Sequence, residues 1–259
     1  MRLNKFLAQK GLCSRREADK LILEKLIKVN NCEISPGYIL EAGDKVVVFD
    51  SQATEINNFI YSETKAQEFE KVYLALNKAA GIECTCNLKI KANIISYIRK
   101  AKGFEKLRKK YQDRHQSELR LFHIGRLDKD SRGLILLSND GDLSQKLMHP
   151  SYEHEKEYLV CVDKKITQSF IKDLSAGVEI SRDKKDDKVK TLPCIVKQVN
   201  DRSFTIILTQ GYKRQIRKSC KVLGYEVTDL YRFRIGEINI NENYKIAEGE
   251  FLKLPSLAG

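Results

Sequence analysis

Apolar positions along this chain switch repeatedly between helical spacing and strict alternation, and the switches delimit its elements. Leu3, Phe6 and Leu7 form a short helical stripe that stops near Gly11. Ser14 then precedes Glu17 by three residues, the spacing at which each side chain satisfies the other's backbone N–H at a helix start. Behind that cap Ala18, Leu21, Ile22 and Leu26 keep helical spacing, and the polar first turn puts Arg15 and Arg16 on the exposed side. Val29-Asn30-Asn31 and Pro36-Gly37 supply turns, and residues 46–49 predict a strand that closes this first module. Residues 53–70 are polar and without period, the composition of a linker. The pattern thus divides the chain into 1–52, a linker at 53–70 and a larger block at 71–259.

In the larger block, residues 72–76 read as a strand, and Ile94, Ile95 and Ile98 mark one face of a helix. Phe104, Leu107 and Tyr111 keep helical spacing inside a charged stretch. Residues 134–137 form an apolar strand, and Asp142 opens another helix. Residues 158–162 predict a further strand, and Phe204, Ile206 and Leu208 alternate as one more. Residues 215–223 predict a helix with Gly224 after its end, followed by a strand at 225–235. Strands and helices mix without a regular β-α-β alternation, which indicates an α+β class rather than a doubly wound sheet.

Composition adds a partner. The 259 residues carry 42% hydrophobic and 32% charged side chains, the balance of a folded chain with a sizeable core. A net charge of +12 points to a polyanion such as nucleic acid. Residues 99–120 hold nine Lys or Arg against three acids, which accounts for half of that excess. As a surface helix this stretch would leave its basic face to solvent or to phosphates. No apolar run approaches the roughly 20 residues of a membrane helix, and the N-terminus lacks the apolar core of a secretory signal. A cytoplasmic location and a monomer are expected. The seven cysteines include no Cys-x-x-Cys pair, so they are read as reduced, with no metal site, and Cys84 and Cys86 as small core residues on one face of a strand.

Three polar segments place unusual residues beside predicted strands. The first holds Arg126 and Asp128. A carboxylate beside a guanidinium keeps its charge when partly buried and serves as a nucleophile or base at neutral pH. The second, Glu155-Lys156-Glu157-Tyr158, offers a ring that can stack on a base. The third, Gln210-Gly211-Tyr212-Lys213-Arg214-Gln215-Ile216-Arg217-Lys218, opens a helix with basic residues, and Lys213 and Arg214 there can meet phosphates beside free backbone N–H groups. Taken singly, each also fits a structural role: a salt bridge, a core tyrosine, a solvated helix face.

Taken in order they resemble a family. Gly125-Arg126-Leu127-Asp128 with Ser131, Gly133-Leu134 and Asn139-Asp140-Gly141 looks like the central motif of the RsuA-type RNA pseudouridine synthases. Lys156-Glu157-Tyr158 and residues 211–217 look like that family's other two motifs. Residues 2–7 with Ser14-Arg15-Arg16-Glu17-Ala18-Asp19 resemble an S4 RNA-binding domain, which these enzymes carry at the N-terminus. Residues 124–131 and 154–160 lean toward members acting on large-subunit ribosomal RNA.

The resemblance implies a small S4 domain followed by a catalytic domain on a mixed, mainly antiparallel sheet with flanking helices. It implies Asp128 as the catalytic aspartate, Tyr158 stacked on the target uracil, Arg217 paired with Asp128, Ile216 as an apolar floor, and Arg126 displacing the target nucleotide. Flipping a base from structured RNA costs about a few kcal/mol. The implied reaction is an isomerisation that needs no cofactor or metal. The implied substrate is structured RNA, ribosomal first and transfer RNA second, and the rival from another class is a non-catalytic RNA-binding factor. The chain departs from the family at Ala79, where proline is usual, at Lys218-Ser219 in place of Arg-Met, and in the length of 99–120.

Overall fold

The computed structural model describes residues 1–62, 70–115, 117–148, 154–182 and 187–255. The chain forms two units: Met1–Lys71 together with Lys106–Arg120, and Val72–Glu105 together with Leu121–Gly259.

In the first unit, α1 (Leu3–Gln9) and α2 (Arg15–Leu23) pack on an antiparallel sheet of β1 (Ile27–Val29), β2 (Cys32–Glu33), β3 (Lys45–Phe49) and β4 (Glu55–Ile60), in the order β2-β1-β3-β4. Leu3, Phe6, Leu7, Ala18, Ile22, Ile27, Val46 and Val48 are its buried core. The predicted cap is present: Glu17 N donates to Ser14 Oγ at 3.1 Å, and Ser14 N donates to Glu17 Oε2 at 3.2 Å. Asn30 and Asn31 both adopt positive φ, 50° and 64°, the pair that a tight β1–β2 hairpin requires.

The stretch expected as a linker holds β4, so the sheet continues past β3. β4 is an edge strand whose Ile60 is 73% exposed. Phe59 at its inner face meets Phe6 edge-on at 5.9 Å. A strand that buries so little shows no clear alternation, which is why its sequence reads as linker. Residues 106–120, from the middle of the sequence, complete this unit. Ser117 Oγ donates to the Lys10 carbonyl at 3.1 Å, Arg120 lies 3.8 Å from Glu17, and Tyr111 and Leu119 are buried.

The second unit comprises β5 (Tyr73–Lys78), α3 (Ile94–Arg99), the start of α4 (Phe104–His115), β6 (Phe122–Ile124), β7 (Arg132–Ser138), α5 (Gly141–Met148), β8 (Lys156–Val162), α6 (Gln168–Ala176), β9 (Glu179–Ser181), β10 (Lys188–Lys190), β11 (Ile195–Asn200), β12 (Ser203–Leu208), α7 (Gln215–Val222), β13 (Val227–Ile235), β14 (Ile238–Asn239) and β15 (Phe251–Leu254). Its sheet runs β11-β12-β8-β13-β7-β5-β15, with β6 on β7 and β14 on β13. Every pairing in that sheet is antiparallel except β7 with β13. The expected α+β class, on a mixed and mainly antiparallel sheet with flanking helices, is what forms.

Gly133 makes the parallel pairing feasible. It sits at φ +107° opposite Arg232, and a Cβ there would overlap the Arg232 carbonyl oxygen. Val160, Phe170, Leu174, Phe204, Ile206, Ile216 and Cys220 fill one core cluster of this unit, and Ala75, Ile124, Leu134, Leu136, Ile240 and Leu254 another.

The cysteine expectation needs one correction. Cys84 is buried but Cys86 is exposed, and both lie outside the strands. None of the seven cysteines forms a disulfide. Among the described residues no helix is long and apolar enough to cross a membrane, and no group of three or more His, Cys, Asp or Glu could hold a metal ion.

Candidate active site

Asp128 stands in the loop between β6 and β7, and that loop is tied down along its length. Gly81 N donates to the Lys129 carbonyl at 2.7 Å, and Ser131 N donates to the Asp128 carbonyl at 3.1 Å. Leu127 N donates to Cys84 Sγ at 3.4 Å while the Leu127 side chain is buried. His123 Nδ1 donates to the Gly125 carbonyl at 2.7 Å.

Two buried cations complete the clamp. Lys78, wholly buried at the end of β5, donates to the carbonyls of Ser131 at 2.6 Å, Ala79 at 2.9 Å and Ile82 at 3.0 Å. All three ammonium protons are thereby used. Burial lowers the pKa of Lys78 from its ordinary value. Arg232, 3% exposed on β13, donates from Nε to the Leu134 carbonyl at 2.9 Å and from Nη1 to the Arg126 carbonyl at 3.4 Å. Its guanidinium lies over the Tyr158 ring, 5.9 Å from the centroid, so β8 converges on the same clamp. Arg232 Nη2 is buried and has no hydrogen-bond partner among the described residues.

The other wall is the start of α7. Arg214, its N-cap, adopts a left-handed conformation at φ 57° and ψ 30°, uncommon for a side chain of this size and the kind of strain that gathers at functional sites. From there it grips Asp130 with both terminal nitrogens, at 2.9 and 3.0 Å. Arg217, one turn on, reaches Asp130 at 3.5 Å and donates to the carbonyls of Val227 at 2.9 Å and Asp130 at 3.1 Å. Hydrogen bonding from Arg214, assisted by the charge of Arg217, holds the Asp130 carboxyl below the usual carboxylate range.

The expected pairing of Arg217 with Asp128 is therefore not formed; Arg217 meets Asp130. Positions 214 and 217 share one helix face, and Asp130, two residues past Asp128, is the acid that faces it. Asp128 has Arg214 Nη1 at 4.0 Å, and its side chain is 27% exposed. It is the acid of this loop that no short ion pair consumes.

The remaining expected site residues fall into three groups. Arg126 is exposed on the loop and Tyr158 is half-buried on β8. Ile216 is buried in the α7 core, and Lys213 is exposed just before that helix. Arg15 and Arg16 are exposed on α2 of the other unit. Glu155 and Glu157 of the second motif bind Arg234 at 2.9 and 2.7 Å. Sequence reasoning missed Lys78, Cys84, Asp130 and Arg232. The available signal was a cation ending a largely apolar strand, as at 78, whereas Arg232 shares its strand with Asp229 and Arg234 and does not stand out.

Comparison with known proteins finds relatives of this chain. The RNA pseudouridylate synthase family matches residues 72–221, and the S4 domain matches residues 1–46. A dual-specificity RNA pseudouridine synthase RluF from Salmonella typhi is 38% identical over 240 residues, covering 93% of this chain and 72% of the relative. The ribosomal large subunit pseudouridine synthase B of Bacillus subtilis is 30% identical over 239 residues, covering 92% of this chain and 87% of the relative. A crystal structure of pseudouridylate synthase superposes with a TM-score of 0.60 at 23% identity, over 98% of this chain and 96% of that one, a likeness of fold.

Proposed function

The chain belongs to the RNA pseudouridylate synthase family, and we propose that it converts a uridine of large-subunit ribosomal RNA to pseudouridine with Asp128 as the catalytic carboxylate. The observation that carries this reading is the contrast within one loop. Asp130 is gripped by Arg214 and Arg217, while the ion pair of Asp128 among the described residues is the long one to Arg214, at 4.0 Å, and its side chain is partly open. A carboxylate held by its backbone and not consumed by a short salt bridge is equipped to meet a flipped nucleotide.

The reaction breaks the N1–C1′ bond, turns the uracil and forms C5–C1′, with the C5 proton lost and N1 protonated. No net oxidation occurs. Asp128 acts at the reacting nucleotide, Tyr158 stacks on the uracil, and Ile216 lies beneath as apolar support. Arg126, exposed beside Asp128, enters the RNA stack in place of the extruded base. Lys213 contacts backbone phosphate. Arg217 acts through the loop, by holding Asp130 and its carbonyl.

The test pairs two measurements. Pseudouridines mapped in total RNA from cells with and without this protein name the substrate, a large-subunit ribosomal position being expected and a transfer RNA position redirecting the assignment. Asp128→Asn should abolish that modification while RNA affinity stays within about twofold, as for a lost chemical group rather than a lost contact. Full activity in Asp128→Asn would remove the aspartate from the mechanism.

A further inference from the structure

Residues 1–71, which include the region matched as an S4 domain, carry eleven Lys and Arg against eleven Asp and Glu. That stretch has no net charge with which to attract a polyanion. Residues 106–120, which join the same unit from the middle of the sequence, carry six Lys and Arg against two acids. The unit's whole positive excess is thus imported.

The import is a fitted part. Ser117 Oγ bonds the Lys10 carbonyl at 3.1 Å, and Arg120 Nη2 lies 3.8 Å from Glu17. Arg114 binds Glu70 at 3.1 Å. Gly11 has φ +76°, and a Cβ there would press on the Glu118 carbonyl oxygen and Ser117 Oγ at 3.1 Å, so the turn after α1 is shaped to receive the segment. In α4, Tyr111 is buried with its ring 4.6 Å from His115, and Leu107 is half-buried one turn earlier. On the opposite side Lys106, Lys109 and Lys110 are exposed. Lys106 and Lys110 are one turn apart, about 6 Å along the axis. Arg120, beside Glu17, adds a third arginine to the end of α2 that carries Arg15 and Arg16.

We propose that residues 106–120 and α2 form one composite surface for the backbone phosphates of structured RNA, with Lys106, Lys109 and Lys110 as its main phosphate contacts. The inference rests on RNA being the substrate class. A membrane surface fits worse, because the apolar side of α4 is turned inward, with Phe104 and Tyr111 buried.

The experiment uses the full chain with Lys106→Glu, Lys109→Glu and Lys110→Glu combined, and the same three lysines changed to Gln as a gentler set. The probes are total ribosomal RNA and anionic vesicles of phosphatidylserine and phosphatidylcholine. Dissociation constants are measured from 50 to 200 mM salt. Binding to RNA should weaken at least about tenfold, and the slope of log K against log salt should flatten by about 2 to 3, one unit per lost phosphate contact. The single-turnover rate at saturating RNA should not change.

Unchanged RNA affinity and slope in either folded variant would overturn the proposal. So would vesicle binding that falls while RNA binding persists. The catalytic reading is separable: Asp128→Asn should lose product and keep affinity. If wild type formed no pseudouridine yet the lysine variants lost RNA, the surface would stand and that reading would fall.

Discussion

Around Asp128, Lys78, Arg217 and Arg232 donate to loop and strand carbonyls, whereas on α4 Lys106, Lys109 and Lys110 stand in solvent. The two regions use the same residue types for different ends. A buried cation that serves carbonyls fixes a backbone, and its worth lies in geometry, because removing it leaves several acceptors unsatisfied at once. An exposed cation fixes nothing and contributes through charge, with a strength that salt can tune. Changes in the first region should therefore appear in stability and turnover, and changes in the second in affinity and its salt dependence.

The sharpest break of the buried region is Gly133→Ala. The substitution puts a methyl group on the Arg232 carbonyl and forces φ +107° on an L side chain. We expect a loss of about 3 kcal/mol in urea unfolding, from backbone strain and disruption of the β7–β13 pairing together. A loss below about 1 kcal/mol would mean that the β7–β13 contact tolerates rearrangement.

Arg232→Lys tests the clamp more finely. Lysine keeps the charge but lacks the fork that reaches Leu134 and Arg126 while lying over Tyr158. Turnover should fall about thirtyfold with KM within twofold, the pattern of a group acting on loop geometry rather than on ground-state binding. A raised KM with unchanged turnover would assign Arg232 to substrate affinity instead.

The contrast also explains what the sequence could reveal. Asp128, Tyr158 and the α7 segment stand in polar runs at strand ends, where unusual residue types are visible, and their resemblance to one family is legible from order alone. Lys78 ends a largely apolar strand and Arg232 sits in one with other charged residues, and only the fold shows which carbonyls they serve. The ionic partner of Arg217 differs from the Asp128 that the resemblance implies, because only the approach of α7 decides between two acids so close in sequence. β4 escaped because an edge strand needs few apolar residues, and residues 106–120 gave no sign of the unit they would join. Local pattern specifies elements; which distant elements meet is set by packing.

For the exposed region, Arg15→Glu with Arg16→Glu should weaken RNA binding about tenfold and flatten the salt slope by about 2, with the rate at saturating RNA unchanged. Both side chains lie outside the core of their unit, so thermal stability should stay within about 0.5 kcal/mol. A drop in saturated turnover would show that α2 orients the nucleotide as well as holding its backbone.

The smallest expected effect lies at the edge of the buried region and depends on pH. Burial lowers the pKa of His123 below its ordinary 6.5, the charge of Arg126 lowers it further, and the hydrogen bond to Gly125 only partly opposes both. Between its folded pKa and 6.5 the unfolded chain binds a proton that the folded chain refuses. This contribution to stability is therefore full above pH 6.5 and lost as pH falls below it, at no more than about 1.4 kcal/mol per pH unit for one proton. Asp130 is silent in that window, because its depressed pKa keeps it charged to below 3.8. Urea unfolding at pH 7 and pH 5.5 should thus show a smaller decline in His123→Gln than in wild type. Equal declines would mean that His123 takes up its proton in the folded loop, and that the carbonyl of Gly125 outweighs burial and Arg126 together.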